Sequence, residues 1–225
     1  SQFANNNALK YGGAINNDNG ELEIENTNFT QNTATYGGAI ENRYYLDMNN
    51  CILENNSAPY GGAIDNDMGE ANIENSQFTN NTASRNGGAI YNDHGKATVT
   101  NANFTQNTAR YGGAINSDEG EMEITNAQFA NNTATESGGA VDVSGTTTIT
   151  NTRFAENHAK YGGAISNDEL LTLRNSLLEN NTATESGGAI ETSGDMTISD
   201  SEFMGNGEDC IGIEYDAKIT LNNVD

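Results

Sequence analysis

One pentapeptide theme returns along the whole chain. Gly-Gly-Ala begins at Gly12, Gly37, Gly61, Gly87, Gly112, Gly138, Gly162 and Gly187, and each copy closes on Ile15, Ile40, Ile64, Ile90, Ile115, Val141, Ile165 or Ile190. The period is about 25 residues, which marks a solenoid made by stacking one unit on itself. A solenoid needs only a thin apolar core along its axis. That reconciles the repeat with a composition that would otherwise read as disordered, 34% hydrophobic residues and a net charge of -23.

A second element interleaves with the first. Phe29, Phe78, Phe104, Phe129 and Phe154 are each followed three residues later by Asn32, Asn81, Asn107, Asn132 and Asn157. Leu53 and Leu178 take the Phe position in two copies. Between the elements, segments such as Leu22-Glu23-Ile24-Glu25 alternate apolar and acidic residues, which is strand periodicity. The equivalent pairs Leu46/Met48, Ala71/Ile73, Ala97/Val99 and Met122/Ile124 are expected to face inward. So is the always small residue two before the Phe, such as Cys51, Ser76 or Ala102. Helical spacing is absent. Three short strands per repeat are expected: the alternating segment, the stretch around Phe, and the Gly-Ala-Ile stretch. Each would pair with its copy in the next coil.

The fold expected is all-β, a right-handed parallel β-helix of about nine coils forming one domain over residues 1–225, with its ends cut within a repeat. At about 4.8 Å per coil the rod is roughly 43 Å long. The Asn columns are expected to pass amide hydrogen bonds from coil to coil. The paired glycines leave room for a tight corner.

Charge bounds the partners. Strong acidity argues against nucleic acid, whose phosphates it would repel, and favours divalent cations. No apolar run is long enough to cross a membrane, so no membrane insertion is expected in this segment. No secretory signal stands at the start, although a chain that opens on Ser1 rather than Met is consistent with one having been removed. Cys51 and Cys210 lie more than six coils apart, about 30 Å along the axis, too far for an intramolecular disulfide. Cys51 reads as a core residue. Cys210 reads as the replacement of a glycine in Cys210-Ile211-Gly212-Ile213, the last coil's version of the repeat.

Four groups of residues are candidates for chemistry. Asp18, Asp67, Asp93, Asp118 and Asp168 follow the Gly-Ala-Ile stretch, mostly in Asn-Asp-x-Gly turns. Turn chemistry accounts for them, because Asp bonds its own backbone and Gly takes positive φ. The functional reading is calcium at Asp67, Asp93 and Asp118, which stand on consecutive coils, with no other cofactor expected. Tyr11, Tyr36, Tyr60, Tyr111 and Tyr161 form a broken column, read either as corner cover or as a stacking platform for a glycan. Tyr44 and Tyr45, in the coil that breaks the turn pattern, are the better candidates for exposed contacts. A charge column before the double glycine ends in Arg110, Glu136, Lys160 and Glu185, whose alternating signs suit cross-coil pairing. His94 and His158 lie too far apart to act together, no long loop walls a groove, and no enzyme activity is expected.

Gly-Gly-Ala-Ile and Phe-x-x-Asn alternating at this period resemble the repeat of the polymorphic outer-membrane proteins of chlamydiae. The resemblance covers nearly the whole chain. It implies an extracellular or cell-surface β-helix like an autotransporter passenger, structural and adhesive, meeting a cell-surface receptor or a glycan. It supplies no catalytic residues. Two other readings stand beside it: a subunit of an extracellular filament built by head-to-tail self-association, and a polysaccharide-active enzyme.

Overall fold

The computed structural model describes residues 1–225 as a parallel β solenoid of about nine turns with no helix. The coil that opens at Ile90 shows the unit. Ile90–Asp93 forms the first strand, Lys96–Thr100 the second, Asn103–Thr105 the third and Thr108–Tyr111 the fourth. Left-handed residues turn the chain between them: His94 at φ 53°, Asn101 at 53°, Gln106 at 56° and Gly112 at 61°. Asn tolerates this conformation better than most residues, which explains the Asn that recurs three positions before the Phe at Asn26, Asn50, Asn75, Asn126, Asn151 and Asn175.

The register is set by the repeat. Ile90 lies opposite Ile64 and Ile115, Val99 opposite Ile73 and Ile124, and Phe104 opposite Phe78 and Phe129. Like therefore packs on like. Phe104 and Phe129 stack with centroids 4.7 Å apart and planes inclined by 4°, and Leu53 continues that column between Phe29 and Phe78. The expected inward pairs are buried in one continuous core. Cys51, Ser76 and Ala102 are buried too, and the Ser76 Oγ accepts the Cys51 backbone N–H at 3.1 Å.

The Phe-x-x-Asn asparagines form the expected ladder. From Asn32 to Asn181, each Nδ2 donates both to the Oδ1 of the next coil's Asn and to the carbonyl of the preceding coil's Phe-position residue. For Asn107 these are Asn132 Oδ1 and Phe78 O, each at 3.0 Å. Every donor and acceptor of the buried amide is thus used.

The double glycine serves two contacts. At Gly87 the chain takes φ 63°, and a Cβ would lie 2.0 Å from the Ile90 carbonyl oxygen. At Gly88 a Cβ would lie 1.9 Å from the carbonyl oxygen of Gly113 in the next coil. The first glycine makes the corner and the second lets the coils close on one another.

Two expectations need correction. Four strand positions occur, not three. The fourth, at Ser57–Tyr60, Thr82–Asn86, Thr108–Tyr111, Thr133–Ser137, His158–Tyr161 and Thr182–Ser186, forms a sheet of its own. It has one inward alanine per strand, buried in five of the six, such as Ala109, and so little alternation to betray it. In the last coil Ile211 pairs with Ile190, so Cys210 stands opposite Ala189 rather than a glycine. Asp209 does the work of the first glycine, at φ 48° and with its carbonyl accepting the Gly188 N–H at 3.0 Å.

Candidate functional site

The turn between the first and second strands carries the aspartates. Asp67, Asp93 and Asp118 are consecutive partners in the register. Each is engaged separately. Asp67 Oδ2 accepts from Arg43 Nε at 2.8 Å, Asp93 Oδ1 meets His94 Nδ1 at 2.6 Å, and Asp118 Oδ1 accepts from Ser144 Oγ at 2.8 Å. No three carboxylate, imidazole or thiol groups are gathered in an arrangement that holds a metal ion. A calcium ion on this column competes with Arg43, His94 and Ser144 for its ligands. Arg43 is the hub of the neighbouring coils: it also lies 2.7 Å from Glu41, 3.6 Å from Asp18 and 4.2 Å from the Tyr11 ring centroid.

Above these turns runs a ridge. Met68, His94 and Glu119 occupy the turn tip on three successive coils, all left-handed at φ 58°, 53° and 49°. Met68 is 72% exposed and Tyr44, on the coil before, is 53% exposed. Beside them lies an open groove of about 570 Å³ whose walls include Arg43, Glu70, Lys96 and Glu121. The hydrogen bond to Asp93, followed by the charges of Asp93 and Glu119, raises the affinity of His94 for a proton. Of the two tyrosines singled out for contact, Tyr44 faces out. Tyr45 is half-buried and its hydroxyl accepts from Asn72 Nδ2 at 3.2 Å. Met68 escaped sequence reasoning, although it stands in the turn-tip place that Asn19 fills in the first full turn. His158 bonds Thr182 Oγ1 at 2.9 Å on the separate fourth-strand sheet, far from His94.

The corner tyrosines stack. Tyr36 lies 5.1 Å from Tyr60 at 9°, and Tyr60 lies 5.8 Å from Tyr91, which reaches in from the next coil where Asn86 leaves the corner empty. Basic neighbours cap the rings, with Arg110 4.9 Å from the Tyr111 centroid and Lys160 4.9 Å from that of Tyr161. Arg110 and Lys160 both approach Glu136 at 3.8 Å, one from each side, as the alternating charge column implies.

A further column was not legible. From the second coil on, the residue after each Gly-Gly-Ala-Ile points outward, yet the corner covers it, and four coils bury acids there: Glu41, Asp65, Asp142 and Glu191. Burial raises the carboxyl pKa of Glu41 to about 7 and of Asp142 to about 7, and pushes Asp65 and Glu191 upward. Where the corner residue is Ser instead of Tyr, it reaches the acid: Ser137 donates to Asp142, and Ser186 Oγ donates to Glu191 Oε2 at 2.8 Å.

The family model described as right handed beta helix region matches residues 63–225. The chain belongs to this right-handed β-helix family. No curated protein and no solved structure matches it. The family membership fixes the hand and the solenoid class. The narrower resemblance to chlamydial surface proteins rests on the repeat residues alone.

Proposed function

We propose that the chain is a structural and adhesive rod of an extracellular or cell-surface protein, without catalytic activity, and that it touches its partner through the ridge of Tyr44, Met68 and His94. One observation carries the reading. Tyr44 and Met68, exposed at 53% and 72%, stand with the exposed His94 on successive coils along one open groove of about 570 Å³. Large side chains left exposed together on an otherwise polar rod suit a contact outside the chain. The partner is a cell-surface receptor or a glycan, because a ring, a thioether and an imidazole beside a polar groove suit either. The acid-rich surface disfavours polyanions.

Labelled protein is applied to a panel of cells, before and after protease or glycosidase treatment, beside the variant Tyr44→Ser. Binding that Tyr44→Ser abolishes supports the ridge, and the treatment that removes it assigns receptor or glycan. Binding equal in the two proteins refutes the ridge. Turnover of any member of a polysaccharide panel would replace the adhesive reading by an enzymatic one. Calcium on the column of Asp67, Asp93 and Asp118 is a separate proposal, and an unchanged melting temperature at millimolar calcium would sink it.

A further inference from the structure

The charges of this rod are unevenly placed. With 32 acidic and 9 basic residues, any stretch of its surface is expected to be acidic. The second strands of the first coils are, with Glu21, Glu23, Glu25, Asp47, Glu70 and Glu74 on their outer face. The fourth-strand side of the rod reverses the pattern. The strands Ser57–Tyr60, Thr82–Asn86 and Thr108–Tyr111, with the matching stretches 7–11 and 33–36 of the coils before, contain no Asp or Glu. Their charges are Lys10, Arg85 and Arg110, all exposed.

Arg85 has no carboxylate to meet. It donates from Nη1 to the Tyr60 hydroxyl at 2.9 Å and lies 5.6 Å from the centroid of that ring. Arg110 stands at the matching place one coil on, since Asn86 pairs with Tyr111. It lies 4.9 Å from the Tyr111 centroid and 3.8 Å from Glu136, an acid of the next coil that Lys160 shares. Like charges on neighbouring strands repel. A chain rich in acids thus sets two of its few arginines side by side and keeps acids away from them.

Arg and Tyr are enriched, and Asp and Glu depleted, where proteins meet one another. The strip is also flat. Its strands lie in one sheet, and the grooves of the rod open elsewhere. Small ligands take concave sites, so a flat face suits a polypeptide better.

We propose that this strip docks an acidic segment of another protein, with Arg85 and Arg110 as its anchors. Each guanidinium offers a planar fork of donors that matches a carboxylate. At about 4.8 Å per coil the strip is about 19 Å long, which an extended segment of about six residues covers. Charges beyond about 8 Å are screened at physiological salt, so a short segment meets the strip rather than the net charge. A long polyanion overruns the strip onto the acidic faces. A second copy of the rod brings its own charge of -23 alongside and is disfavoured on the same ground. The strip belongs to a separate sheet from the strands beside the ridge, and its proposal stands independently of that contact.

The test titrates the full chain with fluorescein-labelled hexaglutamate and hexaserine at physiological salt, read by fluorescence anisotropy. Three variants run beside it: the double change Arg85→Ser with Arg110→Ser, then Arg174→Ser at an exposed base on a second strand, and Tyr44→Ser on the ridge. Circular dichroism checks each fold. The expected result is saturable binding of hexaglutamate, not of hexaserine, that weakens about tenfold or more in the double variant, as for loss of charged hydrogen bonds. Arg174→Ser and Tyr44→Ser leave it unchanged. Equal weakening in Arg174→Ser reduces the effect to bulk charge, and in Tyr44→Ser moves the contact to the ridge; either overturns the proposal. So does the absence of hexaglutamate binding. Light scattering over a concentration series adds one outcome: self-association that the double variant loses would assign the strip to a second copy and overturn the proposal as well.

Discussion

Asn107 and Asn132 are joined twice through one atom: the backbone N–H and the side-chain Nδ2 of Asn107 both donate to Asn132 Oδ1, each at 3.0 Å. The same pattern joins Asn81 to Asn107, at 2.9 and 3.1 Å. Replacing Asn107 by Leu leaves the two buried Asn81 donors without an acceptor. At roughly 1–3 kcal/mol for each orphaned group, Asn107→Leu is expected to destabilise by about 2–6 kcal/mol. Asn151→Ala, at an exposed left-handed corner, should lose only about 1 kcal/mol. Urea denaturation of both variants measures the contrast.

The glycines divide by what their missing Cβ would meet. At Gly88 it would strike the Gly113 carbonyl oxygen, part of the backbone ladder and unable to move aside. At Gly20 its nearest neighbour is the Asn17 Oδ1 at 3.1 Å. Gly88→Ala is expected to cost more than about 4 kcal/mol or to prevent folding. Gly20→Ala should stay within about 0.5 kcal/mol, as a surface change does. Soluble yield and melting temperature distinguish the two.

Asp142 makes the rod sensitive to pH in the sense opposite to ordinary acid unfolding. Burial raises its pKa from the usual carboxylate value of 3.8 to about 7. The folded state therefore binds more protons than the unfolded state between those values, and the stability this residue contributes is complete below about pH 4 and falls as pH rises through about 7. Asn at this position keeps an acceptor for Asn116 Nδ2, which donates to Asp142 at 3.1 Å, and gains donors. Asp142→Asn is expected to raise the melting temperature at pH 8 and to leave it nearly unchanged at pH 4. Melting curves across that range check both halves.

The sequence made the coil, its register and its inward columns legible because a repeat displays each position many times. Ile90, Val99, Phe104 and Asn107 could be placed on the inner face from their copies alone. The fourth strand was hidden because Thr108–Tyr111 buries one small residue, Ala109, and shows no alternation. The acids at Glu41, Asp65, Asp142 and Glu191 were hidden for a different reason. They point outward from their strand, and only the folded corner, with its tyrosines and serines, takes them out of solvent. The ridge was half legible: Tyr44 broke a turn motif and drew notice, whereas Met68 sat within one and showed its strain only through φ.

The cysteines give a check on the register of the last coil. Cys51 is buried at 1% exposure in the small inward column, whereas Cys210 is partly accessible opposite Ala189. Burial raises the pKa of both thiols, so neither is an activated thiolate. Accessibility then decides the order, and Cys210 is expected to react with a thiol reagent well before Cys51 in the folded protein. Peptide mapping after partial labelling reads it out, and prior labelling of Cys51 would contradict the placement of that column.

The proposed function rests on the exposed side chains of the ridge, and Met68 tests it most directly. Its side chain is 72% exposed and its backbone sits at φ 58°. Asn adopts that conformation more readily, so Met68→Asn is expected to stabilise the rod by about 1 kcal/mol, raising its melting temperature by about 2–4 °C. The decisive measurement pairs that melting curve with binding to responsive cells. The account predicts a variant that melts higher and binds more weakly than the parent. A variant that melts higher and binds equally well would contradict it.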